Sequence, residues 1–172
     1  MHIGIDPGLS GALAVLAPDG TLQVVCDTPV LTLKVARGTK QCYDIPSMVA
    51  MLAPYAGMPV HGLIEEAQAM PGQGTRSMFT IGYGYGLWLG LLTALQMPYT
   101  PVRPAIWKKA FSLGKDKEAS RLRAMQLFPA ADLRRKKDHG RSEALLLAWY
   151  SWQLRQRCAV TVGPASLINN QN

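Results

Sequence analysis

Cysteine, histidine and acidic side chains are all scarce in this chain, and each scarcity narrows what it does. Cys26, Cys42 and Cys158 are an odd number without a Cys-x-x-Cys spacing, which argues against a disulfide framework and against a zinc site. A reducing cytosol is the expected compartment. No basic stretch followed by an apolar run opens the chain, because Asp6, Pro7 and Gly8 interrupt it, so secretion is not expected. The histidines are His2, His61 and His139. Two of them fall inside predicted strands, and no Ser-His-Asp or Cys-His constellation is suggested. There is no internal repeat and no low-complexity tract. From Ser77 to Val102 charge is missing altogether, as in a membrane span. Gly82, Gly84 and Gly86 break that run and Gln96-Met97-Pro98 closes it. The better fit is a buried helix of about 18 residues, short for a typical span, followed by a strand over 98–102. Gly82, Gly86 and Gly90 bare one face of that helix for close approach, to the sheet or to a partner subunit.

The acids number 11 against 18 Lys and Arg, a net charge of +7. Residues 101–160 hold fourteen of the basic residues and five of the acids, a net of +9, which leaves −2 for the rest. Such segregation points to a polyanionic partner for one face, nucleic acid being the commonest. With 172 residues and 48% hydrophobic content, the chain has enough for one substantial core. The expected domain spans residues 1–158, with a small and polar tail over 159–172 that frays.

Strand signals come early: HIGID (2–6), GALAVLA (11–17) and, past the Pro18-Asp19-Gly20 turn, TLQVVCD (21–27). Their short turns make them an antiparallel meander. Residues 28–42 hold Lys34, Arg37 and Lys40 with little periodicity and read as a mobile basic loop. IPSMVAMLAPY (45–55) reads as a short helix capped by Asp44 with Pro46 in its first turn. VHGLIEEA (60–67) is apolar and then acidic, like the first strand. Helices are expected over 104–111, 116–128 and 140–156. Three antiparallel strands followed by alternating helices and strands make a mixed α/β sheet with helices on its flanks.

Why a buried strand ends in Asp6 is the question that opens the chemistry. Asp-Pro-Gly is a turn signal in its own right, but Glu65-Glu66 ends a second apolar strand in the same way. In open α/β sheets ligands gather beyond the carboxyl ends of the strands. Two carboxylates held at one rim repel each other unless a divalent ion sits between them, and an all-oxygen set favours Mg²⁺ or Mn²⁺. The last helix enters as KKDHGRSEALLLAWY. His139 and Glu143 lie four apart and share a face, whereas Asp138 converges only from a cap position. Asp138 as a plain cap, His139 as a first-turn residue and Glu143 as dipole compensation are the structural alternatives. Taken together, Asp6, Glu65 and the His139/Glu143 pair match the needs of two-metal phosphodiester hydrolysis.

In chain order, IGIDPGLSGALAV, IEEAQAMPGQGTRSMFTIGYGYG, WKKAF with GKDKEASR and LFP, and DHGRSEALLLA resemble the RuvC-type Holliday-junction resolvases, nearer to their bacteriophage and chloroplast branch. The likeness covers residues 1–157. It implies an RNase H-like fold and a homodimer that cuts two strands of a four-way DNA junction symmetrically with Mg²⁺ or Mn²⁺, two ions to a site. The family's metal-binding acids fall on Asp6, Glu65 and Glu143. The position one turn before Glu143 is Asp in many relatives and His139 here, with Asp138 one residue earlier, so either is a candidate for the catalytic set.

Gly72 and Gly74 in AMPGQGTRSMF allow close backbone approach to DNA, Gln73 offers a hydrogen bond to a base edge and Phe79 a stacking surface. The alternative for Met78 and Phe79 is burial in the core. In the family this loop reaches the junction centre, which assigns Gln73, Gly74, Arg76, Met78 and Phe79 to DNA. Lys108, Lys109, Lys115 and Lys117, with Arg134, Arg135, Lys136 and Lys137, are expected to neutralise phosphates. Trp107 is either a base-stacking ring or core. GIDPGLSG also resembles the phosphate-binding hairpin of actin and sugar-kinase ATPases, whose two domains exceed this length. A non-catalytic branched-DNA-binding module is the other alternative, and the retained acids argue against it.

Overall fold

A computed structural model describes residues 1–68, 72–114, 116–135 and 137–161, without the side chains of 117 and 159–161. The expectations for Lys115, Lys136 and the Lys117 side chain, and the tail beyond Thr161, therefore lie outside the described residues. The early apolar segments form the meander: β1 (His2–Asp6), β2 (Ala12–Leu16) and β3 (Leu22–Asp27), antiparallel with Ile3 opposite Val15 and Val15 opposite Val24.

After the meander, residues 28–42 correct the expected mobile loop. They form a two-stranded ribbon, β4 (Val30–Val35) and β5 (Gly38–Tyr43), with Leu33 opposite Lys40. Leu31, Leu33 and Val35 alternate as a strand requires, but both faces stay exposed, so no simple in-and-out charge pattern marks them. α1 (Ile45–Leu52) begins as expected, with the Asp44 carboxylate accepting the Ser47 N–H at 3.2 Å, a cap that satisfies an orphan helix donor.

β6 (His61–Glu65) lies parallel beside β1, and β7 (Tyr99–Val102) parallel beside β6, completing a sheet in the order β3-β2-β1-β6-β7. α2 (Thr75–Ala94) connects β6 and β7; α3 (Pro104–Ala110), α4 (Lys117–Leu127) and α5 (His139–Thr161) follow. α5 starts one residue before the expected helix and runs past its expected end at 156 and past the 158/159 domain boundary. Among the described residues, no helix is long and apolar enough to cross a membrane.

Strand alternation sorts the core into two layers. Ala12, Ala14, Leu16 and Leu63 face Ala144–Ala148 of α5, while Ile3, Ile5, Leu13, Val15 and Ile64 face Met48 and Leu52 of α1 and Trp88 and Leu92 of α2. The buried stripe of α2 is Gly84, Trp88 and Leu92. Gly82, Gly86 and Gly90 instead meet nothing within 4 Å, so they do not pack on the sheet. α5 lies so close to β1 that a Cβ on Gly4 would overlap the Ala144 carbonyl and the Ala148 amide.

Candidate active site

Parity decides where the strand-end acids point. Side chains alternate across a strand, and Leu63 packs in the α5 layer, so Glu65 two residues on faces α5. On β1, Ile3 and Ile5 face the opposite layer, which turns Gly4 and Asp6 toward α5 as well. Parallel pairing with Ile5 opposite Ile64 brings Asp6 and Glu65 to the same rim. Gly4 admits α5 closely enough for Glu143, 7% exposed, to reach it. Asp6, Glu65 and Glu143 line one cavity of about 970 Å³, with Gln73, Arg76 and Lys108 around them.

Two neighbours on α3 hold the acids in place. The buried Trp107 indole N–H donates to Glu65 Oε2 at 2.8 Å, and Lys108 Nζ donates to Glu143 Oε1 at 2.8 Å while lying 5.1 Å from the Trp107 ring centroid. The Glu65 carboxyl is pushed up to about 7, first by burial and then by Glu143 and Asp6, with the Trp107 hydrogen bond and Lys108 pulling the other way. At the Pro7-Gly8 turn, the Gly8 N–H donates to Asp6 Oδ1 at 3.3 Å. The Tyr43 hydroxyl donates to the Pro7 carbonyl at 3.2 Å. Its pKa is raised to about 12 by burial and then by Asp6 and Tyr83.

Asp138 and His139 separate clearly. The Asp138 carboxylate, 1% exposed, accepts the backbone N–H and the Nε of Arg135, each at 2.8 Å. Burial pushes its pKa up, but the Arg135 bonds outweigh burial and hold the carboxyl below its ordinary value. His139 opens α5 on the face of Glu143, and its Nδ1 is buried without a hydrogen-bond partner among the described residues. Neither residue lines the cavity.

The remaining expected residues divide between core and surface. Trp107 is core, and its polar role toward Glu65 was not foreseen; a Trp beside Lys within a seven-residue helix starting at Pro104 was the only available signal. Lys108, expected on phosphate, is paired with Glu143. Phe79 is not in the core: it is 74% exposed and stacks on Tyr83 at 6.2 Å between centroids. Met78, Gly74 and Arg76 are exposed, and Gln73 is half-buried with its Nε2 donating to Ser77 Oγ at 3.3 Å. Lys109, Lys137 and Arg134 are exposed. Arg135 is engaged by Asp138 and, at 3.7 Å, by Asp27. His2 and His61 bond to Ser151 of α5, and His2 is driven down to about 4, chiefly by burial.

The donor set suits a hard divalent cation. Asp6, Glu65 and Glu143 line one cavity. The Glu65 pKa is raised first by burial and then by Glu143 and Asp6, a repulsion that a cation would relieve, and the His139 Nδ1 has no hydrogen-bond partner among the described residues. As placed, no three His, Cys, Asp or Glu side chains among the described residues are gathered tightly enough to hold an ion. Lys108 brings a positive charge into direct contact with Glu143.

A mixed sheet in this order, with acids at the tips of β1 and β6 and a third on the last helix, defines an RNase H-like domain. No protein-family model matches the chain. Among curated proteins it is similar to the "Holliday junction resolvase MOC1, chloroplastic" of Chlamydomonas reinhardtii, with 40% identity over 125 residues. That stretch is 68% of this chain, and the match spans 14% of that protein's length. Among solved structures it resembles Thermus thermophilus RuvC in complex with a Holliday junction substrate, at TM-score 0.58 and 16% identity over 90% of this chain and 94% of that one. A second structure of Thermus thermophilus RuvC matches at TM-score 0.55 and 17% identity, over 90% and 95%. The chain has the RuvC-type RNase H-like fold, and the resemblance to RuvC-type resolvases carried by its motifs is borne out.

Proposed function

We propose that this protein is a structure-selective endonuclease that resolves four-way DNA junctions by paired, symmetric, metal-dependent phosphodiester hydrolysis, working as a homodimer. The observation that carries the proposal is the convergence of Asp6, Glu65 and Glu143, from three elements distant in sequence, on one cavity rimmed by Arg76 and Lys108. Asp6, Glu65, Glu143 and His139 would hold Mg²⁺ or Mn²⁺, two ions to a site. Ions bound there would supply an activated water and neutralise charge on the leaving oxygen. Trp107 keeps the Glu65 carboxylate aimed into the cavity, and Lys108 balances Glu143 and offers a cation to an incoming phosphate.

His139 is the better fourth ligand, because its Nδ1 has no partner among the described residues while the Asp138 carboxylate is taken up by Arg135. Gln73, Gly74, Arg76, Met78 and Phe79, at the cavity mouth and the first turns of α2, would meet the junction centre. Lys109, Arg134 and Lys137 would meet phosphates. The open Gly82/Gly86/Gly90 face of α2 is the surface for a second copy.

The deciding experiment incubates a labelled four-way junction, beside a linear duplex of the same sequence, with Mg²⁺ or EDTA. Paired nicks on the junction alone, absent with EDTA and in Asp6→Asn, are expected. Under Mg²⁺, His139→Ala should lose most of the rate and Asp138→Asn much less. Tight junction binding without cuts under Mg²⁺ or Mn²⁺ would replace this reading with a branched-DNA-binding module.

A further inference from the structure

Outside residues 101–160 the chain has only four basic side chains: Lys34, Arg37, Lys40 and Arg76. Three of them are on the β4–β5 ribbon, which carries no acid between Thr28 and Tyr43, and all four are exposed. None of the four enters an ion pair among the described residues. The fold brings Arg76, from the first turn of α2, against the ribbon, where Lys40, Gln41, Arg76 and Thr80 line one groove. Leu9, Arg76 and Thr80 also line the cavity of the acid cluster, so the ribbon groove and the candidate active site are continuous.

The ribbon itself contributes little to the core. Residues 31–41 are exposed throughout, and only Tyr43, at its root, is buried. A two-stranded ribbon gains little stability by itself, so packing does not account for its length. Lys34 and Lys40 belong to neighbouring cross-strand pairs, opposite Thr39 and Leu33. They therefore project from opposite faces, with Arg37 in the turn between them. A two-stranded β-ribbon fits the major groove of duplex DNA, and cations on both faces and the tip then reach phosphates on both banks.

Resting on the functional reading above, we infer that the β4–β5 ribbon is a second DNA grip. It holds the backbone of a duplex arm leaving the active site, with Lys34, Arg37 and Lys40 on phosphates and Arg76 joining the ribbon to the catalytic cavity. The contact is to backbone and carries no recognition of the crossover.

The test measures binding in EDTA, so that no strand is cut, of wild type and the triple variant Lys34→Ala/Arg37→Ala/Lys40→Ala. Both are titrated with a four-way junction and a linear duplex at several salt concentrations. Each phosphate contact adds roughly 0.9 to the slope of log K against log salt. The variant slope should therefore flatten by about 2 to 3, and affinity for junction and duplex should fall by the same factor, roughly tenfold or more. A second variant that replaces residues 32–41 with Asn-Gly keeps Val30 and Tyr43 and should show the same loss, with thermal unfolding verifying the fold of both. Unchanged slope and affinity in both variants would overturn the inference. A loss confined to the junction would also overturn it, by making the ribbon a reader of the crossover. Failure of the wild type to bind the junction would instead bring down the functional reading.

Discussion

Glu65 is half-buried beside Glu143 and Asp6, and its side chain pays for that position in stability. The folded protein holds the proton up to about 7, whereas an unfolded glutamate releases it near the ordinary 4.5. Between those values the native state binds more protons than the unfolded state, so stability falls as pH rises, and the deficit is complete above about 7. The gap corresponds to on the order of 3 kcal/mol as an upper figure for a half-buried group. Glu65→Gln keeps an acceptor for the Trp107 indole and removes the charge. In EDTA it should unfold at a higher temperature than wild type at pH 8 and at nearly the same temperature at pH 4, as calorimetry would record. Millimolar Mg²⁺ should raise the Tm of wild type, since an ion that binds only the native state stabilises it. It should raise that of Asp6→Asn much less.

At the scale of elements, the site depends on how closely α5 lies over β1. Gly4 leaves room for the Ala144 carbonyl and the Ala148 amide, and backbone atoms cannot move aside as a flexible side chain does. Gly4→Ala should cost about 3 kcal/mol, at the upper end of overpacking effects, measured by urea unfolding in EDTA. Any folded fraction should cut poorly even under saturating Mg²⁺, because α5 must shift and Glu143 shifts with it. α3 matters in the same way: seven residues carry both Trp107 and Lys108, which contact the acids supplied by β6 and α5.

For the whole molecule, the open stripe on α2 bears on assembly. A Cβ on Gly82, Gly86 or Gly90 would meet nothing within 4 Å, and all three are exposed, so a side chain there starts out into open space. Gly86→Arg should keep the wild-type circular dichroism spectrum while shifting sedimentation from dimer to monomer, and its Tm should lose the dependence on protein concentration that a dimer shows. Cleavage should then change from paired cuts to single, unpaired nicks. A wild type that sediments only as a monomer at working concentration would count against the stripe as an interface.

The meander, α1 with its Asp44 cap, the long helix within the uncharged run from Ser77 and the acidic strand ends were legible in the sequence, because alternation, helical spacing and turn residues are local signals. Asp6 and the Glu65-Glu66 pair could be named from their strand-end positions, and the family resemblance picked Glu65 from that pair. The β4–β5 ribbon was not legible, since a strand exposed on both faces has no buried side to mark its register. The active partners of the acids were hidden for a related reason: Trp107 meets Glu65 and Lys108 meets Glu143 across 42 and 35 residues. The proposed preference for His139 over Asp138, which helical spacing already favoured, gains support from Arg135, whose backbone N–H and guanidinium take up the Asp138 carboxylate three residues away. What the sequence by itself determined was which segments form the strands of the main sheet and the helices around it, and which acids end those strands. Which of those acids share a cavity, and which cation or indole holds each one, was decided by the parallel pairing of β1 with β6 and the close approach of α5, because side-chain chemistry depends on distances that only packing sets.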